Sequence, residues 1–371
     1  MANIVKKSAT KKFFSVILCS RMEKKLKLLG MTPEELRETA LQAGLPAFAG
    51  KQIASWLYQK KVRSISAMTN ISKEGRARLE ESYEVGVTAP SDCVTARDGT
   101  KKYLFPVSCR VGASLEDSFI EAVMIPDGDR KTLCVSSQAG CKMGCRFCMT
   151  GRQGFHGNLS VADILSQLIG VDESDELTNV VFMGMGEPLD NYDNVLAAIR
   201  IMTAPWGFAW SPKRITLSSI GVLPNLERYM ADTKCHLAIS LHDPFPEERA
   251  SIMPVQNAWD IRDVVELLKK YDFSGQRRVS FEYTMFAGLN DTRRHAEALV
   301  RMLRGLECRV NLIRFHKIPD FEYDTASDRI MDYFKGILEK AGLTATIRAS
   351  RGEDIFAACG MLAGKNSGNG R

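Results

Sequence analysis

Three cysteines in one short run, Cys141-Lys-Met-Gly-Cys145-Arg-Phe-Cys148, are the residues whose type and spacing point most directly to chemistry. A C-x3-C-x2-C loop wraps three thiolates around one centre. A cubane iron–sulfur cluster has four irons and full ligation takes four cysteines, so three cysteines leave one iron open. An open iron can chelate the amino and carboxylate groups of S-adenosylmethionine, pass an electron to its sulfonium and break the bond to the 5′-carbon. Gly140 and Gly144 permit the tight loop, and Phe147 can shield a cluster from water. Clustered cysteines also serve zinc sites and fully ligated electron-transfer clusters. Zinc, however, prefers paired C-x2-C elements and four ligands, and the sequence offers no second pair.

Other short motifs could serve the same centre. In Gly184-Met-Gly186-Glu187-Pro188 the glycines let backbone approach a ligand, and Glu187 can accept from an ammonium group. Ser218-Ser219 and Ser240-Leu241-His242 can hydrogen-bond a ribose or a carboxylate. A lone Gly-x-Gly-Glu-Pro also makes a plain turn, and a lone histidine is often a satisfied structural residue. The common placement of these motifs at strand ends favours cofactor contact. Cys134 lies seven residues before the cluster loop, and Cys359 lies in Arg351-Gly-Glu-Asp-Ile-Phe-Ala-Ala-Cys359-Gly360. Taken singly, each reads as a small buried hydrophobe.

The elements that must position these residues follow from periodicity. From about residue 131 the chain alternates strand and helix. Strands are expected at 132–137, 179–183, 214–218, 236–241, 279–285, 309–315 and 344–348. Helices are expected at 161–169, 192–202, 223–230, 261–271, 293–304 and 329–341. Strands spaced by helices of this length make βα units and a parallel sheet, and six right-handed units curl into a partial barrel. The class is therefore α/β, a partial (βα)6 barrel over 131–363, with its chemistry on loops at the C-terminal strand ends. A β-hairpin extension is expected over 95–130 and a small helical accessory domain over 23–94. There, Thr32-Pro33-Glu34-Glu35 is a strong helix start, and segments 52–59 and 73–83 read as further short helices. Lys51, Lys60, Lys61 and Arg63 flank Trp56 and Tyr58, which suits either a solvated helix face or an RNA-facing surface. Residues 1–22 read as a disordered basic leader, with Met22 an alternative start, and 364–371 as a disordered tail.

Composition sets outer limits. The formal net charge is +6, a mild basic excess compatible with a polyanionic partner. Ten cysteines in 371 residues do not read as a secreted disulfide scaffold. No stretch reaches the ~20 apolar residues a membrane span requires, and a cytoplasmic location is expected.

Taken together, TLCVSSQAGCKMGCRFCMTG (132–151), NVVFMGMGEPLDN (179–191), ITLSSIGVLP (215–224), LAISLHDPFPEERASIMP (237–254), NLIRF (311–315) and RGEDIFAACG (351–360) resemble the RlmN/Cfr family of radical S-adenosylmethionine RNA methyltransferases. The resemblance extends over roughly residues 24–363. The helical N-terminal module and the GRQGFHGNLS run after the cysteines place it closer to the RlmN branch, which methylates adenine C2 in 23S rRNA and tRNA. The resemblance implies a [4Fe-4S] cluster on Cys141, Cys145 and Cys148 and two S-adenosylmethionine molecules per turnover. It implies cofactor contacts from Gly186, Glu187, Ser218, Ser240, Leu241, His242 and His316. Cys359 would take a methyl group by displacement, a radical formed from it would add to the base, and Cys134 would resolve the crosslink and form a disulfide with Cys359. Glu121 would engage the adenine edge. The implied partners are 23S rRNA before ribosome assembly is complete, tRNA and a reductant such as flavodoxin, the enzyme being a monomer. His316 replaces the usual Asn, and Phe356 and Met361 replace the usual Asp and Gln around Cys359. Three alternatives remain: a Cfr-like adenine-C8 methyltransferase, a radical enzyme acting on something other than RNA, and a non-catalytic iron–sulfur electron-transfer protein.

Overall fold

The computed structural model describes residues 25–363 apart from residues 113 and 276. The expected leader, its alternative start at Met22 and the expected tail lie outside the described residues.

The N-terminal module begins with β1 (Leu26–Lys27) and α1 (Pro33–Gln42). Thr32 Oγ1 accepts from the Glu35 N–H at 3.2 Å, and the Glu35 carboxylate accepts from the Thr32 N–H at 2.7 Å. Two orphan amide donors are thereby satisfied at once, which sets the start of the helix. The helix α2 (Ala49–Ala54) runs into a π-turn over Ser55–Gln59, and α3 (Lys73–Ser82) leads to β2 (Tyr83–Glu84), which pairs in parallel with β1.

The basic and aromatic residues of this module divide between docking contacts and the surface. Tyr58 is 1% exposed, and its hydroxyl donates to the Met31 carbonyl at 2.6 Å. Its ring meets Trp206 and Phe208 edge-on. Lys61 Nζ donates to the Ser174 carbonyl at 2.6 Å and pairs with Asp175 at 2.9 Å, while Arg63 Nη2 donates to the Ile169 carbonyl at 3.0 Å. These three side chains fasten the module to the rest of the molecule, Tyr58 fully buried, Lys61 half-buried and Arg63 exposed. Lys51 and Lys60 are exposed, Lys60 lying over the Trp56 ring at 3.5 Å.

Ten of the remaining strands form one sheet, in the order β14-β13-β12-β11-β10-β9-β6-β5-β4-β3, and the other two pair as a separate hairpin. β3 (Asp92–Thr95), β4 (Lys101–Val111), β5 (Ser114–Asp127) and β6 (Arg130–Cys134) are antiparallel neighbours. The expected extension thus starts before residue 95 and continues the barrel sheet edge to edge. β6, β9 (Asn179–Phe182), β10 (Ile215–Ser219), β11 (His236–Ser240), β12 (Val279–Met285), β13 (Arg309–Arg314) and β14 (Thr344–Ile347) run parallel. β14 and β3 are the two free edges, so the barrel is open. The crossovers are α5 (Val161–Gly170), α6 (Tyr192–Thr203), α7 (Leu223–Asp232), α9 (Ile261–Leu268), α10 (Arg293–Leu303) and α11 (Asp328–Lys340). Helices over a parallel sheet bury its strands on both faces. In β12 all residues but Ser280 are buried. Between β6 and α5 lie β7 (Gln138–Gly140), α4 (Met149–Arg152) and β8 (Phe155–Asn158), and α8 (Pro246–Ile252) follows β11. Among the described residues no helix is long and apolar enough to cross a membrane.

Candidate active site

At the C-terminal ends of the parallel strands lies a cavity of about 160 Å³. Cys141, Cys145, Cys148, Gly186, Glu187, Ser218, Ser240, His242 and Cys359 all line it. The cysteine loop leaves the sheet through the β7–β8 hairpin, where the Cys141 N–H donates to the Gly154 carbonyl at 2.8 Å. Gly140 stands at φ +72° there, and a Cβ on it would sit 2.0 Å from the Gly154 oxygen, so no side chain is tolerated. Phe147 packs over the cavity, its ring 5.0 Å from that of His242 and 5.3 Å from that of Phe286.

The three sulfurs suit a cluster better than a single ion. They do not close to within 4.8 Å of one another, whereas Zn–S bonds of about 2.3 Å in a tetrahedron need sulfurs about 3.8 Å apart. Burial pushes the Cys141 thiol up to about 12 and raises Cys145 as well, with the neighbouring cysteine sulfurs adding to both. Buried thiols of this kind release their protons when a metal takes their place. The donor set therefore fits a three-cysteine [4Fe-4S] centre.

Glu187 is 3% exposed and joins two strand ends, its carboxylate accepting from the Leu189 and Ile220 N–H groups, each at 3.0 Å. Burial pushes its carboxyl up to about 7, from an ordinary value of 4.5. Because the folded value is raised, this group's contribution to stability is complete below pH 4.5 and is lost as pH rises through about 7. Glu187→Gln is expected to abolish that fall. Urea midpoints of both proteins at about pH 5 and about pH 8, at equal cluster loading, test it: a parallel decline in wild type and variant would refute it. His242 stands at φ +56° with its Nδ1 accepting from the Thr284 N–H at 2.9 Å. Burial lowers it to about 3, so it faces the cavity as a neutral imidazole.

Leu241 does not line the cavity. Its side chain is 0% exposed and its carbonyl accepts from Arg249 Nε at 2.9 Å. Arg249 is itself 0% exposed and binds the Ser240 carbonyl at 2.9 Å and Gln256 Oε1 at 2.7 Å. It holds the ends of β10 and β11 around the cavity through carbonyls, and nothing in Pro246-Glu-Glu-Arg249 distinguishes it from a solvated helix charge. Arg249→Met leaves several buried acceptors without donors and is expected to lose about 3 kcal/mol of stability. Denaturant unfolding of the variant checks this, and a change within about 0.5 kcal/mol, as at an ordinary surface site, would be the contrary result.

A second cavity, of about 300 Å³, adjoins the first. Cys134 and His316 line it, together with Arg130, Arg314, Arg348 and Arg351. Arg314, Arg348 and Cys359 border both cavities. Burial pushes the Cys134 thiol up to about 12, with Cys359 next in effect. Cys359 is exposed as a residue, yet packing around it raises its thiol, and the Arg348 guanidinium pulls the other way. The structure therefore puts His316 with Cys134, away from the cysteine loop. The segment after Cys359 lies along α4: the Met149 N–H donates to the Gly360 carbonyl at 2.7 Å and Thr150 Oγ1 to the Leu362 carbonyl at 2.8 Å. It ends at Glu121, whose carboxylate accepts from the Ala363 N–H at 2.7 Å and pairs with Lys102 at 3.1 Å. Glu121 is 2% exposed and lines neither cavity. Several cavity residues escaped the sequence reading, among them Glu282, Arg130, Arg314, Arg348 and Arg351. Glu282 is a charge inside the apolar strand β12, a signal that could have found it; its Oε2 has no hydrogen-bond partner and lies 3.6 Å from Arg348 Nη1. Arg348 follows directly on β14, where the sequence marks only the end of a strand.

Comparison with known proteins agrees with this geometry. Residues 135–303 match the Radical SAM superfamily, and residues 26–85 match the Ribosomal RNA large subunit methyltransferase N-terminal domain. The chain is 57% identical over 340 residues to "Probable dual-specificity RNA methyltransferase RlmN" of Porphyromonas gingivalis, covering 92% of this chain and 94% of the relative. It is 40% identical over 345 residues to "Dual-specificity RNA methyltransferase RlmN" of Syntrophus aciditrophicus, covering 92% and 97%. The crystal structure of a radical SAM methyltransferase from Sphaerobacter thermophilus superposes with a TM-score of 0.84 at 36% identity, covering 92% of this chain and 100% of that one.

Proposed function

The chain belongs to the RlmN family of radical S-adenosylmethionine RNA methyltransferases, and on that footing we propose that it methylates adenine C2 in 23S rRNA and tRNA through a methyl group carried on Cys359. The observation that carries this reading is the position of Cys359 on the wall between two chambers. One holds the three-cysteine loop, and the other holds Cys134 and four arginines.

Each residue has a role that its surroundings support. Cys141, Cys145 and Cys148 would hold the [4Fe-4S] cluster, which would supply one-electron reductive cleavage of S-adenosylmethionine. Gly186 stands at φ +96° where a Cβ would meet Gln138 at 2.5 Å, so its bare backbone can approach the ligand. Glu187 accepts from the ligand ammonium, and Ser218, Ser240 and neutral His242 orient the rest. Cys359 displaces a methyl from a first S-adenosylmethionine, the Arg348 guanidinium favouring its thiolate. Cys134 sits in the base-side chamber, where it resolves the crosslink by forming a disulfide with Cys359. Arg130, Arg314 and Arg351 give that chamber the charge an RNA requires. Glu121 meets the base only once the Ala363 N–H has moved off its carboxylate. The electron comes from an external donor such as a flavodoxin, and the protein acts as a cytoplasmic monomer on 23S rRNA before ribosome assembly is complete.

The test is an anaerobic reaction of the reconstituted protein with S-adenosylmethionine, a reductant and unmodified 23S rRNA or tRNA, followed by mass spectrometry of the nucleosides. 2-Methyladenosine is expected from both RNAs. 8-Methyladenosine in its place, or no methylated adenosine, would overturn the reading.

A further inference from the structure

On the outer side of the His242 turn, away from both cavities, three side chains from three elements converge. Asp243 follows the β11 exit, Glu248 lies on α8 and His295 on α10. One ligand atom from each lies within 4.8 Å of the others, and among the described residues no other set of histidine, cysteine or acidic side chains closes this tightly.

The atoms that do not converge are all held from outside. Asp243 Oδ1 accepts from the Phe245 N–H at 2.8 Å. One Glu248 oxygen accepts from Arg294 Nη1 at 2.6 Å. His295 Nδ1 lies 2.6 Å from Thr292 Oγ1. Each residue therefore has an outer partner that fixes its orientation, which is how metal-ligating histidines and carboxylates are supported. The atoms left facing inward are Asp243 Oδ2, Glu248 Oε2 and His295 Nε2. Nε2 lies 2.8 Å from Glu248 Oε2 and 3.8 Å from Asp243 Oδ2. Asp243 is 0% exposed, and its Oδ2 has no hydrogen-bond partner. Zinc bonds of about 2.0–2.1 Å in a tetrahedron set ligand atoms about 3.3 Å apart, midway between those two separations.

We propose that Asp243, Glu248 and His295 form a binding site for a divalent cation of the zinc type, separate from the three-cysteine centre. Two carboxylates balance the ion's charge, and the imidazole supplies the nitrogen ligand such ions prefer. To bind the ion through Nε2 the neutral imidazole takes the tautomer with its one proton on Nδ1, where Thr292 Oγ1 lies 2.6 Å away to accept it. A water completes the tetrahedron on the side where Glu248 is 30% exposed. The bound ion ties the β11 exit, α8 and α10 together directly behind His242.

Zinc ion alone is the probe. Holoenzyme with an intact cluster is dialysed against zinc chloride, then zinc and iron per chain are measured by mass spectrometry. One zinc per chain is expected in wild type, with unchanged iron, and a melting temperature raised by zinc. Asp243→Asn keeps the shape of the site but removes the anionic ligand, and it should lose both the zinc and the thermal shift. Glu248→Gln keeps the size of a partly exposed side chain and should weaken zinc binding at least tenfold, so the test survives if the Asp243 variant misfolds. Wild-type holoenzyme that retains no zinc, or zinc retained equally by wild type and both variants, would overturn the proposal.

Discussion

Cys134→Ala protein is expected to be recovered covalently joined to RNA. Cys134 and Cys359 line the same chamber, and only Cys359 also borders the chamber of the cysteine loop. Removing Cys134 leaves the methyl carrier and its supply untouched, so a carbon bridge between Cys359 and the base still forms. What is lost is the thiol that releases it, and the bridge persists. Cys359→Ala has the opposite outcome: no methyl is accepted, no RNA is trapped and methylated adenosine disappears. If both cysteines were only small core residues, each substitution would lower stability by about 1–3 kcal/mol and trap nothing. Nuclease digestion and intact mass measurement of purified Cys134→Ala protein decide the matter. A free protein that turns over normally would remove the two-cysteine mechanism from this chain.

The second large effect concerns iron. Wild type prepared without oxygen should hold about four irons per chain, the cubane count. Replacing Cys141, Cys145 or Cys148 by Ala should abolish that iron, because each supplies one of three thiolates and, among the described residues, no other cysteine lines the cavity except Cys359. Rescue by Cys359 is not expected, since its segment is tied along α4 through Gly360 and Leu362. Wild-type iron content in any one of the three variants would defeat the assignment.

The parallel sheet was legible because its strands are short apolar runs separated by amphipathic helices. Val279–Met285 was read to the residue, and most other barrel strands within a residue or two. What escaped is physically of one kind. β1 and β2 have two residues each, and their pairing of Leu26 with Tyr83 is a contact across the chain with no local pattern. The β7–β8 hairpin is held by backbone bonds around glycines, so it carries no side-chain alternation. α8 is charged throughout its first turn, and only Pro246 at its start marked it as a helix. Within the site, the residues on glycine-rich or serine-bearing strand ends reached the cavity as expected. Leu241, His316 and Glu121 lie off it, because a motif places a residue near a strand end without telling which way its side chain turns. Tyr58 shows the converse: composition suggested an outward surface, and long-range packing against Trp206 and Phe208 turned it inward.

The wall shared by the two chambers bears on how such an enzyme could be blocked. A single small molecule with an adenosyl group in the first chamber and a purine in the second would have to pass the residues that border both, Arg314, Arg348 and Cys359 among them. Such a bisubstrate ligand would occupy the methyl carrier's path as well as both pockets. Enzymes that use S-adenosylmethionine by direct transfer have no carrier thiol between donor and acceptor, so the selectivity of this design would come from the partition itself.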